Sequence, residues 1–342
     1  MSQTVTRMRR EIEEIPEAVA RLLDGGADET RAVAAEIARR DPRFLVSVAR
    51  GSSDHACTYL KYASELLFGL PMASVGPSVA SIYGVPLRAD GALCIAVSQS
   101  GKSPDIVDLA RTARESGAYT VAITNNPASP LAGAALATLC LHAGPELSVA
   151  ATKTFVTSLV AGLWLMAEWK RDAALLDAIR GLPEVLDRAT RCDWSAVTEA
   201  LTGDNLFTLG RGPSWAISNE AALKFKETCQ IHAESYSSAE VLHGPVSIVG
   251  SGFPVIGFAA ADKAETALVE VADGLADKGA LVFVTSDKAR AATRLDHVRS
   301  GHWLTDPIPL IVSFYGMVEQ VAAKRGIDPD APRHLRKVTE TR

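Results

Sequence analysis

Two groups of residues in this chain have the types and spacing to do chemistry. The first is Ser98-Gln99-Ser100-Gly101-Lys102-Ser103. It follows the apolar run Ala92-Leu93-Cys94-Ile95-Ala96-Val97 and precedes a helix-like pattern from Pro104 to Ala110. A buried strand therefore runs into a hydroxyl-rich loop, and the loop opens a helix. Backbone N–H groups at a helix start are unpaired and carry partial positive charge, so such a loop suits a phosphate. Its serines and Gln99 add donors without adding charge, which favours a sugar phosphate held by hydrogen bonds. The same residues also fit a plain junction in which Ser and Gly only turn the chain and cap the helix. A nucleotide P-loop is excluded, because that motif needs a glycine five positions before Gly101, where Ala96 stands.

The second group is Glu220, Lys224 and Glu227 in Asn219-Glu220-Ala221-Ala222-Leu223-Lys224-Phe225-Lys226-Glu227-Thr228. Spaced i, i+4 and i+7, these three line one helix face. Two carboxylates around an ammonium describe a solvent-facing salt-bridge stripe. They also describe a proton-transfer carboxylate beside a cation that stabilises an oxyanion. Downstream, His243 precedes Gly244-Pro245 and so sits in a turn, where its ring can shuttle a proton near neutral pH. His55 and His232 fit structural roles as well as functional ones. The histidines show no paired metal-site spacing, so no metal is expected, and because proton shuttling requires neither metal nor nicotinamide no cofactor is expected either.

The elements that must position these groups are written twice. Phe44 to Gly51 answers to Asn205 to Gly212, Leu93 to Val97 to Pro254 to Phe258, and Thr120 to Thr124 to Leu281 to Thr285, each at an offset of 161 positions. An apolar helix pattern from Val149 to Ala167 meets another starting near Leu310. Short apolar strands alternating with helices predict a parallel sheet covered on both faces. The expected fold is therefore α/β: two tandem doubly wound, flavodoxin-like domains from an internal duplication, with ligands beyond the carboxyl ends of the strands. A helical lead-in with apolar Ile12, Ile15, Val19, Leu22 and Leu23 is expected over 1–40. The first domain is expected over 41–171, a connecting helix pair with Gly181 and Pro183 over 172–200, the second domain over 201–330 and a tail over 331–342. The serine loop is replaced by Ala259-Ala260-Ala261-Asp262-Lys263-Ala264 in the second copy, so phosphate binding is assigned to the first domain and the acid–base helix to the second.

Bulk properties narrow the function. A chain of 342 residues is too long for one ordinary core and fits two domains. A net charge of −5 leaves no electrostatic footprint for nucleic acid. The cluster Arg7, Arg9 and Arg10 is followed by acidic residues and reads as a solvated helix face. Cys57, Cys94, Cys140, Cys192 and Cys229 are scattered without a Cys-x-x-Cys pair, which fits a reducing compartment; Cys94 and Cys140 lie in apolar runs and read as core residues. No signal peptide is apparent, and the apolar helix Phe155 to Ala167 is too short to span a bilayer. A cytoplasmic protein without membrane contact is expected.

Taken in order, several segments resemble the sugar isomerase (SIS) domain family, and within it the isomerase half of the glutamine–fructose-6-phosphate aminotransferases. They are Arg50-Gly51-Ser52-Ser53, Ser98 to Ser103, Gly144-Pro145-Glu146 with Ala151-Thr152-Lys153, Glu220 to Glu227, His232-Ala233-Glu234, Glu240 to Pro245, and Pro332 to Lys337. The resemblance implies a phosphate site from Ser53, Ser98, Gln99, Ser100 and Ser103, with Ser52 nearby. It implies Glu227 as the base moving a proton between the first two sugar carbons, Lys224 polarising the sugar oxygen and Glu220 holding the network. His243 resembles the ring-opening histidine, which in this family reaches the site from a neighbouring subunit, so a homodimer is implied. Lys337 resembles the lysine that forms an imine with the open-chain keto sugar, on a tail that closes the active site.

Departures point to a particular branch. The synthases begin with a glutaminase domain whose nucleophile is an N-terminal cysteine, whereas residue 2 here is Ser2 and no such domain fits before the first unit. Ala151 stands where the synthases carry Ser, and Lys102 where they carry an acid. A stand-alone pair of SIS units resembles the glucosamine-6-phosphate deaminases, which release ammonia. The alternatives are isomerisation alone, a fructosamine-phosphate deglycase, and a non-enzymatic sugar-phosphate regulator.

Overall fold

The computed structural model describes residues 5–337, so Ser2 and the end of the 331–342 tail lie outside the described residues. In chain order the elements are α1 (Arg7–Glu13), α2 (Ile15–Gly25), α3 (Ala27–Arg40), β1 (Phe44–Val48), α4 (Ser52–Phe68), β2 (Met72–Ser74), α5 (Ser78–Ser81), β3 (Ala92–Val97), α6 (Pro104–Glu115), β4 (Tyr119–Thr124), α7 (Pro130–Ala134) and β5 (Ala137–Cys140). They continue with α8 (Lys153–Lys170), α9 (Ala173–Arg180), α10 (Leu182–Ala189), α11 (Ser195–Ala200), β6 (Asn205–Gly210), α12 (Pro213–Cys229), β7 (His232–Ser237), β8 (Pro254–Gly257), α13 (Glu265–Ala276), β9 (Leu281–Val284), β10 (Thr293–Arg294) and α14 (Pro307–Lys324). These divide into two compact units. The first comprises Glu17–Glu146, Lys153–Arg180 and the chain from Arg336; the second comprises the chain to Pro16, Leu147–Thr152 and Gly181–Leu335.

Each unit is built on one five-stranded parallel sheet, ordered β2-β1-β3-β4-β5 in the first and β7-β6-β8-β9-β10 in the second. This is the expected doubly wound α/β fold, made twice. Every residue of β3 and β4 is buried, as continuous apolar strands require when helices cover both faces. Val46 lies opposite Cys94, and Ile95 opposite Val121; in the second sheet Thr208 lies opposite Ile256, and Ile256 opposite Phe283. Burial pushes the Cys94 thiol up to about 12, leaving a core residue without thiolate chemistry. Cys140, by contrast, is only half-buried at the end of β5, an outer strand of the sheet.

The duplication extends beyond the strands. Helices α4 and α12 have 17 residues each and start 161 positions apart; α6 and α13 have 12 each at the same offset. The last helices, α8 and α14, are 18 residues long but start 154 apart, so the second copy reaches its final helix with a shorter connection. Helix α8 is apolar on all sides and buried from Lys153 through Ala167, packed against α3 and α4. In the second unit α14 takes the same central part against α12 and α10. Among the described residues no helix is long and apolar enough to cross a membrane.

Three local expectations need correction. The segment between the repeats forms three short helices, α9 to α11, because Gly181 and the Cys192–Trp194 stretch both interrupt it. Arg9 is not on a solvated face: its guanidinium is bound by Glu319 at 2.5 Å and by the Gly316 carbonyl at 2.9 Å, while Arg7 and Arg10 stay exposed. In the lead-in, Ile12, Ile15, Val19 and Leu22 are buried, but Leu23 is only half-buried, one step off the apolar stripe of α2.

Candidate functional site

In the first unit the strand order reverses between β1 and β3, so the loops leaving these strands diverge and open a crevice at their carboxyl ends. The serine loop leaves β3 there. Its amides are partly used internally: the Ser98 hydroxyl accepts the Gly101 N–H at 3.2 Å, and the Ser100 hydroxyl accepts the Lys102 N–H at 3.3 Å. Each hydroxyl then keeps its own proton to donate. Two amides of the loop are thus engaged within it, while the two hydroxyls that accept them remain able to donate. Ser103 precedes α6 without capping it through its side chain. Gln99 is half-buried, and its carbonyl is anchored by the Asn125 N–H at 3.1 Å. Gly101 has φ +62°, and a Cβ there would run into the Ser129 side chain, so the tight turn requires glycine.

The loop leaving β1 carries Arg50, Gly51, Ser52 and Ser53, the two serines opening α4. Arg50 has no role in the sequence reading, yet its Nε donates to the buried Asp105 carboxylate at 2.5 Å, at the start of α6. A half-exposed guanidinium thus stands beside the helix that follows the serine loop. The signal was present: Arg50-Gly51 recurs as Arg211-Gly212.

Lys337 belongs to the first unit, where its ammonium meets the buried Glu146 carboxylate at 3.1 Å. Glu146 also accepts from the Thr154 N–H at 3.0 Å and the Thr154 hydroxyl at 2.5 Å, at the start of α8. The two bonds from Thr154 orient the carboxylate that receives the tail lysine. Glu146 and Thr154 as its anchor were not foreseen, though Glu146 lies in the Gly-Pro-Glu segment already singled out.

In the second unit, α12 brings Glu220, Lys224 and Glu227 together. The Lys224 ammonium is fully buried, 3.1 Å from Glu220 and 2.5 Å from Glu227. Glu220 is also fully buried and accepts from the Tyr315 hydroxyl of α14 at 3.3 Å, whereas the Glu227 side chain remains 21 % exposed. This is not a solvent-facing stripe. Burial works against the charge of Lys224, but the flanking carboxylates outweigh it and raise its pKa above the ordinary lysine value. The arrangement presents one accessible carboxylate backed by an ammonium whose charge the flanking carboxylates favour. His243 follows a short turn over Glu240–Leu242 and is exposed, as is His232 at the start of β7. Among the described residues no group of three His, Cys, Asp or Glu side chains is placed to hold a metal ion.

Two parallel sheets in the same order, each followed by its own switch point, define a duplicated doubly wound α/β protein. The chain belongs to the SIS domain family, whose model matches residues 40–167 and 202–322. It is 33 % identical over 360 aligned residues to the glutamine–fructose-6-phosphate aminotransferase (isomerizing) of Symbiobacterium thermophilum, an alignment taking in 96 % of this chain and 58 % of that protein's length. Among solved structures, one from Silicibacter pomeroyi, provisionally assigned as a phosphosugar isomerase, is 65 % identical with a TM-score of 0.93, covering 95 % of this chain and all of that one. The C-terminal domain of the Francisella tularensis glucosamine–fructose-6-phosphate aminotransferase shares the fold, with a TM-score of 0.86 at 24 % identity, covering 96 % of this chain and 99 % of that domain.

Proposed function

We propose that this chain is a phosphosugar isomerase of the deaminating kind, converting glucosamine 6-phosphate and water into fructose 6-phosphate and ammonia. The observation that carries this reading is the α12 triad, in which the buried Lys224 is clamped between two carboxylates and only Glu227 is accessible. A carboxylate in that setting is suited to take a proton from C2 of the open-chain amino sugar and return one to C1. The product of that shift is a C2 imine, which water hydrolyses to the ketose with loss of ammonia. Lys224 stabilises the developing oxyanion, and Glu220 holds the ammonium in place. Ser53, Ser98, Gln99, Ser100 and Ser103, with Ser52 nearby, take the phosphate, which orients the chain without joining the chemistry.

His243 opens the ring in this scheme from a neighbouring subunit of a homodimer. Its exposure supports this, as does the apolar surface of Leu242 and Ile248 on the same connection, 48 % and 61 % exposed. Lys337, held by Glu146, is placed in this scheme as the amine that can displace ammonia from the C2 imine, the resulting lysine imine then being hydrolysed by water to the ketose and the free lysine. The unpaired cysteines suit a reducing cytoplasm.

Purified protein given glucosamine 6-phosphate should release ammonia and a ketose phosphate. Glu227→Gln should lose about 10²–10⁴-fold in rate while still binding the sugar phosphate. Proton exchange at C2 without ammonia would replace this reading with isomerisation alone. Ammonia from fructosamine 6-phosphates only would select a deglycase, and binding without any turnover a regulator.

A further inference from the structure

In the second sheet, the loop after β8 holds the place that the serine loop holds in the first, with Ala259 to Ala264 standing where Ser98 to Ser103 stand. Its hydroxyls are gone, but one of its amides donates to a carboxylate of the same unit. The buried Asp306 carboxylate, next to the start of α14, accepts the Ala261 N–H at 2.6 Å, the Ser300 N–H at 3.0 Å and the Arg299 guanidinium at 2.8 Å. Ala261 is the counterpart of Ser100, whose own N–H has no acceptor among the described residues. Arg299 also reaches the Ala259 carbonyl at 2.9 Å, the Thr285 carbonyl at 3.0 Å and Glu265 at 3.1 Å. Glu265, the counterpart of Pro104 at the start of α13, is gripped further by Ser286 and Lys288, each at 2.6 Å.

A loop amide, a second backbone amide and a guanidinium converging on one group form the donor set of an oxyanion site. Carboxylate and phosphate oxygens satisfy such donors alike. We propose that the second unit keeps at Ala261 the loop amide that its duplicate has at Ser100, completes an oxyanion site around it with Ser300 and Arg299, and fills that site with its own Asp306 carboxylate, so that each chain offers one oxyanion site instead of two. The inference rests on the reading of the serine loop as the phosphate site. Removing the Asp306 carboxylate leaves two N–H groups and Arg299 without that acceptor, and an inorganic oxyanion taking its place would restore all three bonds.

The test compares Asp306→Ala with the unmodified protein, reading inorganic phosphate bound per chain by equilibrium dialysis together with the thermal midpoint. Without phosphate the variant should melt several degrees lower. With phosphate it should bind one more equivalent than the unmodified protein and recover much of the lost midpoint. Equal stoichiometry and an equal midpoint shift in the two proteins overturn the proposal. An unmodified protein that binds no phosphate counts against the serine-loop reading, while the difference between the two proteins still decides this one. Should Asp306→Ala not fold in oxyanion-free buffer, refolding is repeated with phosphate and with acetate. Recovery that depends on the added oxyanion supports the proposal, and failure in both overturns it.

Discussion

Helices α4 and α12 hold the same place in the two units, each following the first strand of its sheet and each 17 residues long. Both start after a glycine in nearly the same unusual conformation, φ 56° and ψ −135° at Gly51, φ 58° and ψ −135° at Gly212. What the helices carry is different. In α4 the functional candidates are hydroxyls in the first turn, Ser52 and Ser53, and its ion pair Lys61–Glu65 lies out on the surface. In α12 the charges lie in the middle and last turns, with Glu220 and Lys224 inside the unit. Duplication has kept the turn that launches the helix, because sterics admit few ways to make it. Side chains on the helix face can be exchanged without disturbing that turn, so the two faces have diverged.

The largest expected effect tests whether burial separates the two helices. Lys224→Met leaves the Glu220 carboxylate inside without its cation, and breaking a buried pair in this way costs about 3–5 kcal/mol. Urea unfolding of the variant measures it; a loss below about 1 kcal/mol would mean that the triad is solvated and α12 no different in kind from α4. The pH dependence has a definite sign. Because the folded pKa of Lys224 is raised, its contribution is complete below the unfolded lysine value of about 10.4 and is lost only as pH rises through the higher folded value. The stability difference between the variant and the unmodified protein should therefore hold steady across neutral and mildly alkaline pH as far as this group is concerned.

That contrast also marks what could be read from the sequence. Strands β1, β3 and β4 and their duplicates are short, mostly apolar segments repeated at one offset, and such segments have few other fates. The edge strand β10 has two residues, both exposed, and leaves no such trace. The i, i+4, i+7 spacing placed Glu220, Lys224 and Glu227 on one face, but a charged stripe looks the same whether it faces water or Tyr315 of another helix. Arg50–Asp105 and Glu146–Lys337 join residues 55 and 191 positions apart, so only the tertiary fold brings them together. Asp306 was invisible for the same reason. The loss of serines in the second copy reads as loss of a site, whereas the carboxylate that fills it arrives from 45 residues downstream.

A smaller effect probes what α4 and α12 share. A Cβ at Gly51 or Gly212 meets nothing within 4 Å, so alanine at either position adds no clash. The cost is backbone strain alone, about 1–3 kcal/mol for a side chain forced into a sparsely populated region. Equal launching turns predict equal losses for Gly51→Ala and Gly212→Ala, agreeing within about 0.5 kcal/mol in chemical denaturation. A gap above about 1 kcal/mol would break the claim that the turn was kept intact.

The smallest effect belongs to the surface pair of α4. Lys61 lies 3.4 Å from Glu65, with both side chains more than a third exposed, and its ammonium is 5.3 Å from the Tyr62 ring centroid. The lysine precedes the glutamate, the less favourable order along a helix, and alanine is the better helix former. Lys61→Ala should therefore change stability by no more than about 0.5 kcal/mol. Concentrated salt, which screens exposed charges, should reduce even that difference in the same unfolding measurement. A salt-insensitive loss above about 1 kcal/mol would place Lys61 in a packed environment, and the division between a wet ion pair on one copy and a dry one on the other would no longer stand.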